Sequence, residues 1–293
     1  MDLFWAIVGG LIVAATPLVF AALGELVVEK SGVLNLGVEG MMVIGAIAGL
    51  ATKVLTGSYV LAFIAAIVAG ALMAGLFGVL TQMLLSNQVA TGLALTLFGL
   101  GVSSLVGQSF SGKTAGAFPK LPVLEVDVVA GLSLVMVAVV AWWLSSTRGG
   151  MILRAVGENH DAAHAVGYKV VRVRMMALLF GGAMAGMGGA YLSLVQTPFW
   201  AEKMTAGRGW IALALVVFAA WQPVRVLTGA LLFGGITIVQ LHAQGFGLKV
   251  DAQLLSMLPY LATIAVLVLI SRESTRFGLR APQSLGKTFY AVS

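Results

Sequence analysis

The amino-acid sequence predicts an all-α membrane protein, a polytopic bundle of about nine transmembrane helices with a range of eight to ten. Hydrophobic residues make up 60% of the 293 residues and charged residues only 10%, whereas soluble domains carry about 25% charged residues. No Asp, Glu, Lys or Arg occurs between Lys53 and Lys113, a stretch long enough for two crossings. The 37 glycines favour close helix packing in lipid. A water-soluble globule is therefore excluded, and we treat residues 1–293 as one transmembrane domain.

The first predicted span covers residues 3–23, which contain no charge and suffice to cross roughly 30 Å of hydrocarbon at about 1.5 Å per residue. A cleaved signal peptide is the alternative, but it would begin with basic residues and have a shorter apolar stretch. Here the acidic Asp2 precedes a full-length apolar run. We therefore expect a retained helix.

Eight further apolar segments follow the first span along the chain. They cover residues 38–52, 59–85, 88–108, 126–144, 175–197, 209–224, 226–242 and 254–270. A tight turn at Ser86 and Asn87 separates the third span from the fourth. The segments 38–52 and 209–224 are short for a crossing and are open to a second interpretation as re-entrant or strongly packed segments.

Basic residues are concentrated in two places, a loop at 145–174 and a C-terminal tail at 271–293. The loop contains Arg148, Arg154, Lys169, Arg172 and Arg174, and the tail contains Arg272, Arg276, Arg280 and Lys287. Loops rich in Lys and Arg stay in the cytoplasm, and an even number of predicted spans lies between these two. We therefore expect both to be cytoplasmic in a multi-pass protein of the cell membrane. The net charge of +6 reports this orientation and gives no reason to expect nucleic-acid binding.

No pattern in the sequence predicts catalysis, a metal site or a bound cofactor. HExxH and GxSxG are absent, the three histidines are not grouped for a metal, and the chain has no cysteine. Residues 107–114 match the P-loop expression GxxxxGK[ST], but a predicted span precedes them and a segment with Pro119 and Pro122 follows. We interpret the match as coincidence and expect a protein that is not an enzyme.

Ionisable residues are expected within the membrane only near the start of the chain. Apart from Asp127 at the second position of 126–144, the last seven predicted spans contain no Asp, Glu, Lys or Arg, although ion-coupled transporters rely on such residues. The exceptions are Glu25, Glu29, Lys30 and Glu39. The Gly-rich polar break between Ser31 and Glu39 favours a discontinuous helix that lines a pathway. A structural cap and turn at the membrane surface is an equal alternative.

Six polar or aromatic side chains are candidates for lining a solute pathway. They are Asn35, Glu39, Gln82, Asn87, Phe98 and Trp210. Amides and carboxylates can bind ribose or base by hydrogen bonds, and aromatic rings can stack on a base. Each of them is also explained by an interhelical hydrogen bond or an interfacial aromatic position.

The loop at 145–174 contains a short predicted helix. It begins near Asn159 or Asp161, whose side chain can cap the first turn, and it ends at Gly167 in the position after the C-cap. Ala162 and Ala163 give it a small, smooth face suited to docking into a groove of another protein. An ordinary capped loop helix is the alternative.

Motifs in three parts of the chain, 154–167, 32–42 and 207–214, resemble a known family. Asp161, Ala162 and Ala163, with Gly167 four residues further on, resemble the EAA-xxx-G coupling motif of ABC importer permeases, with Asp in place of Glu. Residues 154–159 (RAVGEN) and 32–42 (GVLNLGVEGMM) are similar to permeases of the branched-chain amino acid and ribose type. Residues 207–214 (GRGWIALA) resemble the sugar or nucleoside branch, particularly the shorter permease subunit of purine-nucleoside importers.

The resemblance implies a permease subunit that moves nucleosides or related small sugars into the cell by alternating access. It implies a second permease subunit in a heterodimer, a cytoplasmic ABC ATPase that uses the ATP, and an extracellular or periplasmic solute-binding protein. The residues it assigns to coupling are Gly157, Glu158, Asn159, Asp161, Ala162, Ala163 and Gly167. His160 and Tyr168 depart from the Pro and Ile that are frequent in the family. An ion-coupled secondary transporter or facilitator is the alternative function.

Overall fold

The computed structural model describes residues 2–119, 126–245 and 281–290, together with 257, 261, 264 and 268. Its described part is a bundle of α-helices. The first five are α1 (Asp2–Lys30), α2 (Val38–Thr56), α3 (Tyr59–Gly78), α4 (Gln88–Gln108) and α5 (Val128–Ser146). The next five are α6 (Arg148–Glu158), α7 (His160–Ala165), α8 (Val170–Tyr191), α9 (Arg208–Phe218) and α10 (Pro223–Gly245). π-Helical turns at Val79–Met83 and Leu192–Gln196 extend α3 and α8.

In the part of the chain that the structure describes, six helices are long and apolar enough to cross a membrane, which confirms the predicted class of fold. They span Val8–Lys30, Val38–Thr56, Tyr59–Met83, Gln88–Gln108, Val128–Ser146 and Val170–Gln196. The preceding side chain caps the N-terminus of five helices, α3 to α7, because the first N–H groups of a helix have no partner within it. The capping residues are Ser58, Asn87, Asp127, Thr147 and Asn159. The predicted span 254–270 lies outside the described residues except for four isolated positions.

The predicted span 209–224 is wrong as a single crossing. α9 ends at Phe218, because Ala220 (φ 47°) and Trp221 (φ 56°) adopt the left-handed conformation and α10 then begins at Pro223. The 11 residues of α9 reach about 16 Å, roughly half of a hydrocarbon core. α9 is therefore a half-helix.

Two boundaries also differ from the prediction, and both bring charged residues into the bundle. α1 continues past residue 23 to Lys30, so Glu25 and Glu29 lie inside a membrane-length helix. α8 begins at Val170, five residues before the predicted start, and so contains Arg172 and Arg174. The expectation that the later spans carry no ionisable residue is therefore wrong.

Glycines bring the central helices into direct backbone contact. A Cβ at Gly182 would collide with the Gly70 carbonyl of α3, and a Cβ at Gly45 would collide with Gly186. Gly189 lies directly on the Met42 carbonyl of α2. These seams join α2, α3 and α8 to one another, as the abundance of glycine in the sequence predicts.

The bundle has two distinct ends. The C-terminus of α1 lies beside the start of α8, where the Arg174 Nε donates to the Ser31 carbonyl at 3.2 Å. We call this the α7 end, because α6 and α7 also lie there. At the opposite end an isolated antiparallel bridge joins Thr114 to Phe199, and the Tyr59 hydroxyl donates to the Ala115 carbonyl at 2.9 Å.

Residues 281–290 of the tail also lie at the α7 end. The Ser284 N–H donates to the Gly157 carbonyl at 2.9 Å, and the Gly286 N–H donates to the Gly32 carbonyl at 3.1 Å. The described part of the tail is thus on the same side of the bundle as the loop at 145–174, as the sequence predicts.

Candidate coupling and transport sites

The α7 helix begins where the sequence predicts. Asn159 is its N-cap, and the Asn159 side-chain oxygen accepts a hydrogen bond from the Ala162 N–H at 2.9 Å. Helical residues follow from His160 to Ala165. The predicted cap at Asn159 is therefore confirmed.

Gly167 ends this helix in the conformation that glycine favours. Its φ is 98°, in the left-handed region. The Gly167 N–H donates to the His164 carbonyl at 2.8 Å, and the Tyr168 N–H donates to the Ala163 carbonyl at 3.1 Å. This pair of bonds is a Schellman motif, which satisfies carbonyls that the helix leaves unpaired. The predicted position of Gly167 is confirmed.

The outward face of α7 is small and exposed. Asp161, Ala162 and Ala165 are exposed, and Val166 is 78% exposed. Ala163 points inward instead and packs in a cluster with Val156, Val170 and Phe289. The exposed face of α7 therefore includes Ala162, whereas Ala163 anchors the helix to the protein.

Gly157 and Glu158 connect the end of α6 to the rest of the α7 end. A Cβ at Gly157 would collide with the Lys30 carbonyl, so this glycine allows α6 to approach the end of α1. The Glu158 carbonyl accepts from the Ser284 hydroxyl at 3.3 Å, while the Glu158 side chain is exposed.

Arg174 is the largest fully buried side chain in the described residues, with 0% exposure. Its Nη1 donates to the Gln82 Oε1 at 3.4 Å and to the Lys287 carbonyl at 3.1 Å. Its Nη2 lies 3.1 Å from the His160 Nδ1. Buried charges require such partners, because transfer out of water is costly. From the sequence, Arg174 was only one more basic residue of a loop, and no local pattern identified these partners.

His160 is held between Arg174 and the tail. A guanidinium has no acceptor, so the His160 Nδ1 must accept the bond and the imidazole is neutral with its proton on Nε2. Burial lowers the pKa of His160, the positive charge of Arg174 lowers this pKa further, and the carboxylate of Asp161 opposes the shift. The ring of Phe289 packs edge-on against His160, with centroids 5.4 Å apart.

Glu39 caps the half-helix α9. Its Oε1 accepts from the Thr205 hydroxyl at 2.5 Å and from the Gly207 N–H at 2.9 Å. Its Oε2 accepts from the Gly209 N–H at 2.6 Å. The carboxylate therefore satisfies the free N–H groups of α9 and interacts favourably with the positive end of its dipole.

The position of Glu39 is well inside the bundle. The other end of α9 is marked by Trp221, whose Nε1 donates to the Glu29 Oε2 at 2.5 Å at the α7 end. The half-helix spans about 16 Å between these two carboxylates, so Glu39 lies about halfway across a membrane core of roughly 30 Å.

Asn35 belongs to a second buried network. Its side chain and its backbone N–H donate to the Glu25 carboxylate at 3.4 and 3.3 Å. Its Oδ1 accepts from the Gly37 N–H at 2.9 Å, which shapes the connection between α1 and α2. The predicted break between Ser31 and Glu39 is present as this connection.

The remaining four pathway candidates share no hydrogen bond with Asn35 or Glu39 among the bonds described. Gln82 is at the α7 end and accepts from Arg174. Asn87 is the N-cap of α4 and accepts from the Ala90 N–H at 3.0 Å. Phe98 is 53% exposed on α4, and Trp210 is half-buried on α9 against the core. The described residues therefore do not bring the six candidates into one cavity.

The described part of the chain is a polytopic helical bundle with a capped half-helix inside it and a short exposed helix at one end, an arrangement compatible with a membrane transport component. The family described as the permease component of the branched-chain amino acid transport system matches residues 7–269, and the chain belongs to this family. This confirms the family resemblance found in the sequence.

Several curated relatives are similar over nearly the whole chain. A putative glucose ABC transporter permease protein of Haloferax volcanii, TsgC13, is 38% identical over 94% of this chain and 94% of its own length. The nucleoside ABC transporter permease protein NupC of Lactococcus lactis is 32% identical over 90% and 91%. The guanosine ABC transporter permease protein NupQ of Bacillus subtilis is 30% identical over 89% and 90%. No solved structure matches the chain.

Proposed function

We propose that this chain is the permease subunit of an ABC importer that moves nucleosides or related small sugars into the cell by alternating access. The observation that carries the proposal is α7, a capped and exposed helix held against the membrane helices by buried contacts. The substrate class follows the names of the relatives, which specify glucose, nucleosides and guanosine. The chain itself contributes no catalytic residue and no bound cofactor.

The energy source in this proposal is a partner ATPase in the cytoplasm. The outward face of α7, with Asp161 and Ala162, docks in a groove of that ATPase. When the partner binds ATP, α7 moves and the helices attached to it open the pathway on the other side. The α7 end and the described tail are then cytoplasmic, in keeping with the basic residues of the loop at 145–174.

The second permease subunit covers the outer face of α4 in this proposal. Leu93, Leu97 and Leu105 are exposed along that face together with Phe98. The solute pathway then runs between two different permeases, with Phe98 available for stacking on a base. The six candidate residues, including Asn35 and Glu39, remain proposals for the pathway. An extracellular or periplasmic binding protein delivers solute to the opposite end.

The transport function is tested by reconstitution with the partner ATPase, the second permease and the binding protein in liposomes. We expect uptake of labelled guanosine or glucose that requires ATP. Ala162→Arg, on the exposed face of α7, should abolish copurification of the ATPase and uptake together, whereas Arg148→Gln on the exposed side of α6 should retain both. Uptake by the chain alone under an ion gradient would support a secondary transporter instead.

The subunit arrangement is tested by cross-linking, because the chain has no cysteine of its own. Leu97→Cys should cross-link to a cysteine placed in the second permease. Leu72→Cys, equally exposed on α3, is the control and should not. Cross-linking of two copies of this chain through position 97 would contradict the heterodimer.

A further inference from the structure

We propose that Arg174 is the positioning residue that transmits movement of α7 into the membrane helices. This inference rests on the proposed function. It concerns how motion passes into the bundle and is separate from how the ATPase docks.

Arg174 is where four separate parts of the chain meet. Its guanidinium contacts His160 of α7, the Ser31 carbonyl after α1 and the Gln82 side chain in the π-helical end of α3. It also contacts the Lys287 carbonyl of the tail. Only an arginine side chain presents donors in a planar fork that can reach several partners at once.

Burial makes these contacts costly to break. Arg174 has no exposure to water, so a displacement of α7 that breaks the His160 bond leaves part of a buried charge without a partner. The guanidinium must therefore follow His160, and Ser31 and Gln82 must follow the guanidinium. Movement of a six-residue helix is thereby passed directly to α1, α3 and α8.

The tail holds His160 in the geometry that the link requires. The His160 N–H lies 3.3 Å from the Ser284 hydroxyl, to which it donates, and the Phe289 ring packs on the imidazole. The same phenyl ring packs on His164 at 5.3 Å between centroids. His164 is exposed and has no contact with Arg174 among the contacts described, so it provides a matched control on the same helix.

Arg174 cannot touch a partner protein, because it is buried beneath α7. Loss of the link should therefore leave docking of the ATPase intact and disconnect ATP hydrolysis from transport. If Arg174 were important only for the stability of the fold, its loss would instead lower ATP hydrolysis and solute transport in proportion to each other.

The test compares three variants in the reconstituted complex, with copurified ATPase, ATP hydrolysis and solute uptake measured for each. His160→Phe keeps a ring against Phe289 but removes the acceptor for Arg174. We expect it to retain the ATPase and lower the number of solutes moved per ATP by about tenfold, the effect of losing one charged hydrogen bond. His160→Gln restores an acceptor and should recover the wild-type ratio. His164→Phe should match wild type.

Arg174→Lys provides a second, independent measurement. A single ammonium cannot hold all four partners, so this variant should show the same fall in solutes per ATP as His160→Phe. A wild-type ratio in both variants would overturn the proposal. Loss of the ATPase from His160→Phe, with retention in His164→Phe, would also overturn it, because His160 would then act in docking. If wild-type complex fails to retain any ATPase, the proposed function fails instead.

Discussion

Among single residues, Glu39 shows how a carboxylate is accommodated at mid-depth in this bundle. The acid is surrounded by three donors and has no basic partner among the bonds described. Two of the donors are backbone N–H groups at the start of α9, so the anion and the helix end stabilise each other. Glu39 therefore fixes the position of α9 whether or not it also contacts solute.

Glu39→Gln should destabilise the protein by about 1–3 kcal/mol. The amide has one acceptor oxygen, so at least one of the Gly207 and Gly209 N–H groups would lose its partner inside the bundle. The measurement is thermal unfolding of the purified protein in detergent. Glu202→Gln, an exposed change in the same connection, is the control. Equal melting temperatures for the two variants would contradict the capping role.

The lowered pKa of His160 predicts that the free energy of unfolding depends on pH. Because the pKa of His160 is lowered in the folded protein, the unfolded chain binds more protons, so this contribution to stability is complete above about pH 6.5. It is lost as the pH falls through that value towards the lower folded pKa. The groups that face His160 are Arg174, Asp161 and Lys287, and two of these three are cations.

This prediction is checked by unfolding curves measured between about pH 7.5 and pH 5. That range extends about one unit or more on each side of the ordinary pKa of histidine. Wild type should lose stability towards the acid end. His160→Gln should show a smaller loss, and His164→Gln should behave as wild type. Identical pH profiles for wild type and His160→Gln would show that His160 contributes nothing to the dependence.

The sequence predicts contacts between neighbouring residues better than contacts between residues far apart in the chain. The cap at Asn159 and the stop at Gly167 lie next to the helix whose ends they form, so spacing alone predicts both. Arg174 binds residues that are 143 and 113 positions away, and Ser284 binds a residue 124 positions away. Such pairs arise from the packing of whole helices, and the sequence carries no local signal for them.

Among the helices, α9 is where the sequence prediction failed most clearly. Hydropathy continues across Phe218 to Trp221, and neither Ala220 nor Trp221 is a residue that favours a left-handed φ. The break is stabilised by tertiary contacts, including the Trp221 bond to Glu29. A periodic pattern therefore predicts the presence of apolar helix here but not its division into α9 and α10.

For α7, Gly167→Ala should weaken docking of the ATPase. A side chain at φ 98° is strained, by about 1 kcal/mol or more, and the Schellman bonds would loosen. The readout is the amount of ATPase copurified with the complex. Gly131→Ala is the control, because a Cβ at Gly131 meets no atom within 4 Å. Full copurification with Gly167→Ala would show that the end of α7 does not matter for docking.

For the molecule as a whole, the packing depends on glycine seams. The sequence predicts that such seams exist, but it does not predict which helices they join. Spacings such as that of Gly182 and Gly186 indicate close approach, but they do not say that Gly182 meets Gly70 of α3 or that Gly189 meets Met42 of α2. Hydropathy predicted each of the six membrane-length helices in the described residues, with ends that differ by up to about two turns, but it also predicted a crossing at 209–224 that α9 does not make.

Gly189→Ala should destabilise the whole bundle by about 1–3 kcal/mol, because an added methyl group would push α2 away from α8. Gly101→Ala is the matched control in α4, where a Cβ meets no atom within 4 Å. Thermal unfolding in detergent distinguishes them. A Gly189→Ala variant as stable as Gly101→Ala would show that α2 and α8 can separate without cost.

The tail contacts at Ser284, Gly286 and Phe289 have a consequence for biogenesis. These residues are added to the chain after every helix described, yet they complete the surroundings of α7. A nascent chain that has already inserted α1 to α10 therefore still has an unfinished cytoplasmic surface in the proposed orientation. The order of synthesis thus delays the completed α7 surface until α1 to α10 have been made, and under the proposed function it delays engagement of the ATPase as well.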